Sequence, residues 1–301
     1  MSKIISGLMG LVVADAVGVP YEFKERGTFN ATDMTGYGTY NMPVGTWSDD
    51  SSMTLATVDS LVMNKGKIDT YSIMNGFCEW FFGGLYTPYG NVFDVGNTTR
   101  IAIQRYETNR HFPYALKPEM SGGISITDNG NGSLMRILPL AFVECRDEEI
   151  ANVSALTHAH EISKTACIIY ITIAKNLLNG VLLEQAIEYG CKYTDKKEFN
   201  PLHDLKERKP DEIRSTGYVV DTLAAALWCL LNTNSYKECV LKAVNLGGDT
   251  DTIAAVAGGL AGILYADSDK GIPPEWIEQL AKKNEIISLF ESFERVVNNG
   301  N

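Results

Sequence analysis

Asn245-Leu-Gly-Gly-Asp249-Thr250-Asp251-Thr252 runs directly into Ile253-Ala-Ala-Val-Ala-Gly-Gly-Leu-Ala-Gly-Ile-Leu264. Two carboxylates and two hydroxyls stand together between a Gly-Gly turn and an apolar run that reads as a buried helix. One Asp or Thr is enough to cap such a helix. The surplus of anionic oxygens points to a hard cation held by oxygen ligands: magnesium, manganese or calcium. A doubled N-cap is the alternative for these residues taken alone. Far upstream, Gly45-Thr-Trp-Ser48-Asp49-Asp50-Ser51-Ser52-Met-Thr54 repeats the chemistry, again before an apolar stretch. Adjacent carboxylates repel each other, and a cation relieves that repulsion. Two ions sharing acids from both segments would need about this many ligands.

Outward from these segments, apolar residues recur at helical spacing over 4–17, 52–63, 70–82, 97–106, 133–143, 147–157, 161–179, 183–192, 218–231, 236–245, 250–265 and 284–297. Ser235-Tyr-Lys-Glu238 fits a capping box, and Pro273-Pro274 fits a helix start. Strand-like alternation is scarce. The spacing therefore predicts an all-α chain. With no internal repeat or low-complexity linker, residues 1–301 read as one domain with orthogonally packed helices. The loops at 24–47, 108–132 and 193–216 are unusually long, and each leads into a segment rich in acids, hydroxyls or glycines. That arrangement predicts a site built from loops at one end of a helical body.

Composition narrows the functional classes. The chain is 45% hydrophobic and 21% charged, with a formal net charge of -11. Such a surface disfavours nucleic acid and anionic membranes. Backbone amides can still bind a small phosphorylated ligand. The six cysteines form no Cys-x-x-Cys pair and fall mostly in apolar stretches, which suits reduced thiols in the cytoplasm. The longest uncharged apolar run, 253–266, is shorter than the roughly 20 residues needed to cross a bilayer. The expectation is a soluble, cytoplasmic monomer.

Several weaker features join the two acidic clusters. Gly10-Leu-Val-Val-Ala-Asp15-Ala-Val-Gly18-Val-Pro20-Tyr-Glu22-Phe23 ends a helix at Pro20 and leaves Glu22 between two aromatics. Glu22 is then either a surface residue or a partly desolvated acid. Asn129-Gly130-Asn131-Gly132-Ser133-Leu-Met-Arg136 is a turn feeding a helix start, with Arg136 one turn in, and is a candidate anion site. Asp94 precedes Thr98, Thr99 and Arg100, which are placed to orient its carboxylate. His158 and His160 flank a single residue with no cysteine near, which argues against zinc and leaves one histidine to line a pocket. Tyr218 opens another helix and either stacks on a ring or packs.

In this order the motifs resemble the ADP-ribosylglycohydrolase family, typified by dinitrogenase reductase-activating glycohydrolase and the ADP-ribosylarginine hydrolases. The resemblance spans nearly the whole chain and includes Thr157-His158 and Gly217-Tyr218. The family often has Thr where this chain has Ser48 and Ser51. The resemblance implies two Mg2+ or Mn2+ ions held by Ser48, Asp49, Asp50, Asp249, Asp251 and Thr252. It also implies ADP-ribose held by Asn129, Gly130, Asn131, Gly132, Ser133, His158 and Tyr218. Catalysis would involve Asp94, Glu22 and Asp50. The expected reaction is hydrolysis of the N-glycosidic bond of ADP-ribosylated arginine, in a protein or a small conjugate, releasing ADP-ribose. The rivals are another ADP-ribose linkage (serine or O-acetyl), a non-catalytic ADP-ribose-binding relative, and a two-metal phosphatase.

Overall fold

A computed structural model describes residues 1–110, 112, 116–266 and 268–300. The opening apolar run becomes α1 (Lys3–Gly18), capped by Ser2, whose Oγ accepts the Ile5 amide at 3.3 Å. Every residue from Ser6 to Gly18 is buried. The partner of α1 is α10 (Thr250–Leu264), the apolar run that follows the second acidic cluster. The two run antiparallel in backbone contact because small residues meet between them. A Cβ at Gly10 would lie 2.5 Å from the Gly258 oxygen, and one at Gly262 would lie 2.1 Å from the Ser6 oxygen. At the far end a Cβ at Gly18 would lie 2.3 Å from the Asp251 Cα. This contact seats the end of α1, and so Glu22, against the start of α10.

Between them in sequence come α2 (Asp49–Met63), α3 (Thr70–Gly83), α4 (Asn97–Asn109), α5 (Asp147–Ala155), α6 (Glu161–Leu178), α7 (Leu183–Cys191), α8 (Val219–Leu231) and α9 (Tyr236–Val244). The chain closes with α11 (Pro274–Gln279) and α12 (Lys283–Gly300). Helix α10 touches α1, α2, α6, α8 and α9, so it runs through the middle of the core. Among the described residues there are isolated β-bridges and no strands. The all-α expectation is met.

Two differences from the spacing are instructive. Residues 133–143 form no α-helix but two 3-10 turns, Asn131–Ser133 and Leu138–Phe142. Pro139 supplies no amide and crowds the preceding turn, so the apolar periodicity there cannot become an α-helix. Helix α2 starts at Asp49, so Asp49 and Asp50 occupy its first turn. The 108–132 loop includes residues 111 and 113–115, which lie outside the described set. Lys3–Tyr21 is, by length and composition, long and apolar enough to cross a membrane, but 83% of it is buried inside the fold, as a core helix would be. All six cysteines are free thiols.

Candidate active site

The start of α2 is held from beneath by α1. Asp15 is fully buried, and its carboxylate accepts the Ser48 and Ser51 amides at 3.0 Å and the Ser51 hydroxyl at 2.5 Å. Burial still outweighs these bonds and pushes Asp15 up to about 6. Asp15 thereby fixes the turn that carries Ser48, Asp49 and Asp50. Sequence reasoning did not give it this role. The available signal was an acid inside an apolar helix, which must find donors or be expelled.

The second cluster is shaped by Gly247 and Gly248, both left-handed (φ 68° and 74°). A side chain at Gly248 would meet the Ser215 oxygen at 2.2 Å. The turn also ties in the Glu22 loop. The Gly248 amide donates to the Lys24 oxygen (2.9 Å), and the Phe23 amide donates to the Gly248 oxygen (2.8 Å). Asp249 then stands at the N-cap of α10 but makes no side-chain capping bond. Its Oδ2 accepts Asn131 Nδ2 at 2.9 Å instead. Thr252 Oγ1 donates to Asp50 Oδ2 at 3.3 Å, and Ser48 Oγ donates to the same atom at 3.2 Å. The two acidic segments are one structure.

What the acids leave undone is as informative. Glu22 Oε2, Asp50 Oδ1, Asp249 Oδ1 and Asp251 Oδ2 are buried with no hydrogen-bond partner. Oxygens of Glu22, Asp94 and Asp251 lie within 4.8 Å of one another, a spacing that could hold a metal ion. Burial is the largest cause raising Asp49, Asp50, Asp249 and Asp251 above the usual carboxylate range. Mutual repulsion adds to it. Burial and then the nearby Asp94 push Glu22 up to about 9. The Tyr40 hydroxyl, from the 24–47 loop, lies beside the carboxylates of Glu22 and Asp94, and burial together with these acids raises it above its usual range. Arg100, expected with Thr98 and Thr99 to orient Asp94, hydrogen-bonds Asn97 instead. Asp94 is half-buried and left-handed (φ 54°), and Phe23 shares that conformation (φ 62°). Both are uncommon for residues other than glycine.

These groups open into a cavity of about 260 Å³. Glu22, Asp49, Asp94 and Asp249 line it, with Gly130–Gly132, His158 and Gly217, and among the described residues no Lys or Arg does. A larger cavity of about 850 Å³ lies between α7 and the 193–206 loop, but none of its lining side chains carries a buried unpaired polar atom. The expected binding residues divide. His158 is on the wall, held neutral by burial, which pulls it down to about 3, and its Nδ1 lies 2.8 Å from Thr157 Oγ1. Gly130 bridges to Tyr218, which is half-buried beside the cavity. The Asn129 side chain is engaged inside, by Ser163, Ile126 and His160. The Ser133 hydroxyl accepts from Ser154 at 3.0 Å. Arg136 corrects the expectation of a cation beside the anion site. It is fully buried, stacks over Phe77 at 4.6 Å and donates to Thr157 at 2.8 Å.

The raised acids set a pH dependence. Folded values above the unfolded ones favour the fold at low pH and weaken it as pH rises through the folded values. For Glu22 the window runs from 4.5 to about 9, and for Asp15 from 3.8 to about 6. In chelator, the melting temperature is expected to fall across this window. The stabilisation on adding Mg2+ should grow with pH as ions pair with the acids. A stabilisation that is constant from pH 5 to 9 in scanning fluorimetry would contradict the coupling.

Comparison with known proteins agrees with this geometry. A family model described as ADP-ribosylglycohydrolase matches residues 1–300. The chain is 34% identical over 304 residues to ADP-ribosylarginine hydrolase Tri1 of Pseudomonas putida (strain GB-1), covering 98% of this chain and 79% of that protein. It is 31% identical to ADP-ribosyl-[dinitrogen reductase] glycohydrolase of Rhodospirillum rubrum, covering 94% and 92%. A solved structure titled ADP-ribosylglycohydrolase-related protein complex superposes with a TM-score of 0.82 at 27% identity over 98% of both chains.

Proposed function

The chain belongs to the ADP-ribosylglycohydrolase family and is a glycosidic-bond hydrolase, and on that premise we propose that it cleaves the N-glycosidic bond of ADP-ribosyl-arginine with the help of two divalent ions. The observation that carries the metal reading is the set of buried carboxylate oxygens without partners, on Glu22, Asp50, Asp249 and Asp251. Buried anions without a counter-charge are costly, and among the described residues no Lys or Arg lines the cavity to relieve them. Hard oxygen donors of this kind fit Mg2+ or Mn2+. Ser48, Asp49, Asp50, Asp249, Asp251 and Thr252 would hold them. Bound there, the ions would supply positive charge to orient the ribose and to stabilise charge in the transition state.

The remaining work falls to the chain. The 129–133 turn and His158 shape the pocket for ADP-ribose. The Asn131 amide already donates to the Gly217 oxygen, so diphosphate contacts fall to the amides of Gly132 and Ser133. Hydrolysis adds water's hydroxyl to the anomeric carbon and its second proton to the departing guanidine nitrogen. Asp94, on the cavity wall, moves that proton. Glu22, at 4% exposure and beside Tyr40, holds a water or gates access. The substrate is an ADP-ribosylated protein or small conjugate, met by a cytoplasmic monomer.

The deciding test is incubation with arginine-, serine- and acetyl-linked ADP-ribose, with and without Mg2+. Metal-dependent release of ADP-ribose from the arginine conjugate is expected. Preference for another linkage would reassign the leaving group, and phosphate as product would make the enzyme a phosphatase. The turn has its own test. A Cβ at Gly132 would lie 2.8 Å from Thr99 Oγ1 and 2.9 Å from the buried His158 ring. Gly132→Val should therefore weaken ADP-ribose binding about tenfold or more while metal affinity holds. If calorimetry shows both falling together, the turn is structural.

A further inference from the structure

Two acids of the cavity wall, Glu22 and Asp94, each have an aromatic neighbour in sequence. Phe23 follows Glu22, lines the cavity, is 69% exposed and is held left-handed. Phe93 precedes left-handed Asp94, and its ring lies 5.0 Å from that of Tyr40, tilted by 53°. The Tyr40 hydroxyl lies beside Glu22 and Asp94. An exposed aromatic in a conformation disfavoured for its residue type needs a reason beyond packing. Nearby cations of the chain are committed elsewhere. The Lys24 ammonium lies 5.0 Å from the Tyr21 ring centroid. The Arg26 guanidinium bonds the oxygens of Leu246, Pro210, Ile213 and Ser215. The cavity thus offers the exposed Phe23 ring and carboxylates with no Lys or Arg among the described residues lining it, and Glu22 Oε2 is buried and unpartnered there.

We propose that Phe23, with Tyr40 and Phe93 behind the carboxylates of Glu22 and Asp94, forms the subsite that receives the guanidinium of the leaving group. The inference rests on the arginine-linkage reading of the same cavity. A planar cation gains from an aromatic face and from acids at its edge, and a neutral serine or acetate gains neither. Phe23 is then a residue that selects the linkage, whereas the acidic clusters serve any ADP-ribose conjugate.

The test uses the two products as probes of the two halves of the site. Arginine and ADP-ribose are measured as inhibitors of ADP-ribosyl-arginine hydrolysis in Mg2+, for wild type, Phe23→Leu and Phe23→Trp. Leucine keeps apolar bulk and removes the π-face. It should raise the Ki of arginine about tenfold with a much smaller change for ADP-ribose. Tryptophan should keep or tighten arginine binding. A parallel rise in both constants would mean that Phe23 only shapes the mouth, and no rise in either would remove it from the site. Failure of the wild type to cleave the arginine conjugate would instead overturn the reading on which the subsite rests, and this is seen before any variant is made.

Discussion

Alanine at Asp251 or at Asp50 abolishes turnover and leaves the protein folded. Each carboxylate has one oxygen engaged by the chain. Asp251 Oδ1 accepts the Thr252 amide at 2.9 Å, and Asp50 Oδ2 accepts Ser48 and Thr252. The other oxygen of each is buried without a partner. Removing such an acid deletes a ligand that solvent cannot replace in the same geometry. Loss of metal affinity should exceed the roughly 10–100-fold typical of groups that merely support a ligand. The fold is not expected to suffer, because each acid is fully buried among like charges that already raise it. In chelator both variants should melt at or above the wild-type temperature. Calorimetric titration with Mg2+ and turnover of ADP-ribosyl-arginine are the measurements. Normal activity in either variant, or full wild-type activity in excess chelator, would sink the metal mechanism.

Asparagine at Asp94 lowers the single-turnover rate by about 10²–10⁴ without a comparable loss of substrate affinity, if its carboxyl moves the proton. Glu22→Gln is the necessary companion. Glu22, Asp94 and Asp251 are mutually close, and the Tyr40 hydroxyl lies beside the first two, so the acids share one environment. Asp94 is half-buried on the cavity wall, while Glu22 lies deeper. A wild-type rate in Asp94→Asn transfers the role to Glu22. Wild-type rates in both variants would falsify the acid–base part of the mechanism.

The long helices were legible because their apolar spacing had no competing instruction. Residues 133–143 carried the same spacing and did not become an α-helix, since Pro139 removes a donor that periodicity does not register. The two acidic clusters could be read as a pair because they exceeded what helix capping requires, and Asp249 indeed makes no capping bond. Contacts between distant segments were not legible in local pattern. Nothing near Tyr40 predicts that its hydroxyl meets Glu22 and Asp94, and nothing near Arg136 predicts that it turns inward to Phe77. Those outcomes depend on loop paths, which side-chain periodicity does not encode.

The glycine seam between α1 and α10 has a consequence for how the molecule comes apart. With backbone against backbone at Gly10, Gly18, Gly258 and Gly262, there are few side-chain rotamers at which the seam could loosen by degrees. It holds or it separates, and separation exposes the middle of the core. Local openings therefore begin elsewhere, in the long loops and the outer helices. The acids seated at the end of the seam remain in register through such openings. The part of the protein that grips its chemistry is then also the last to let go.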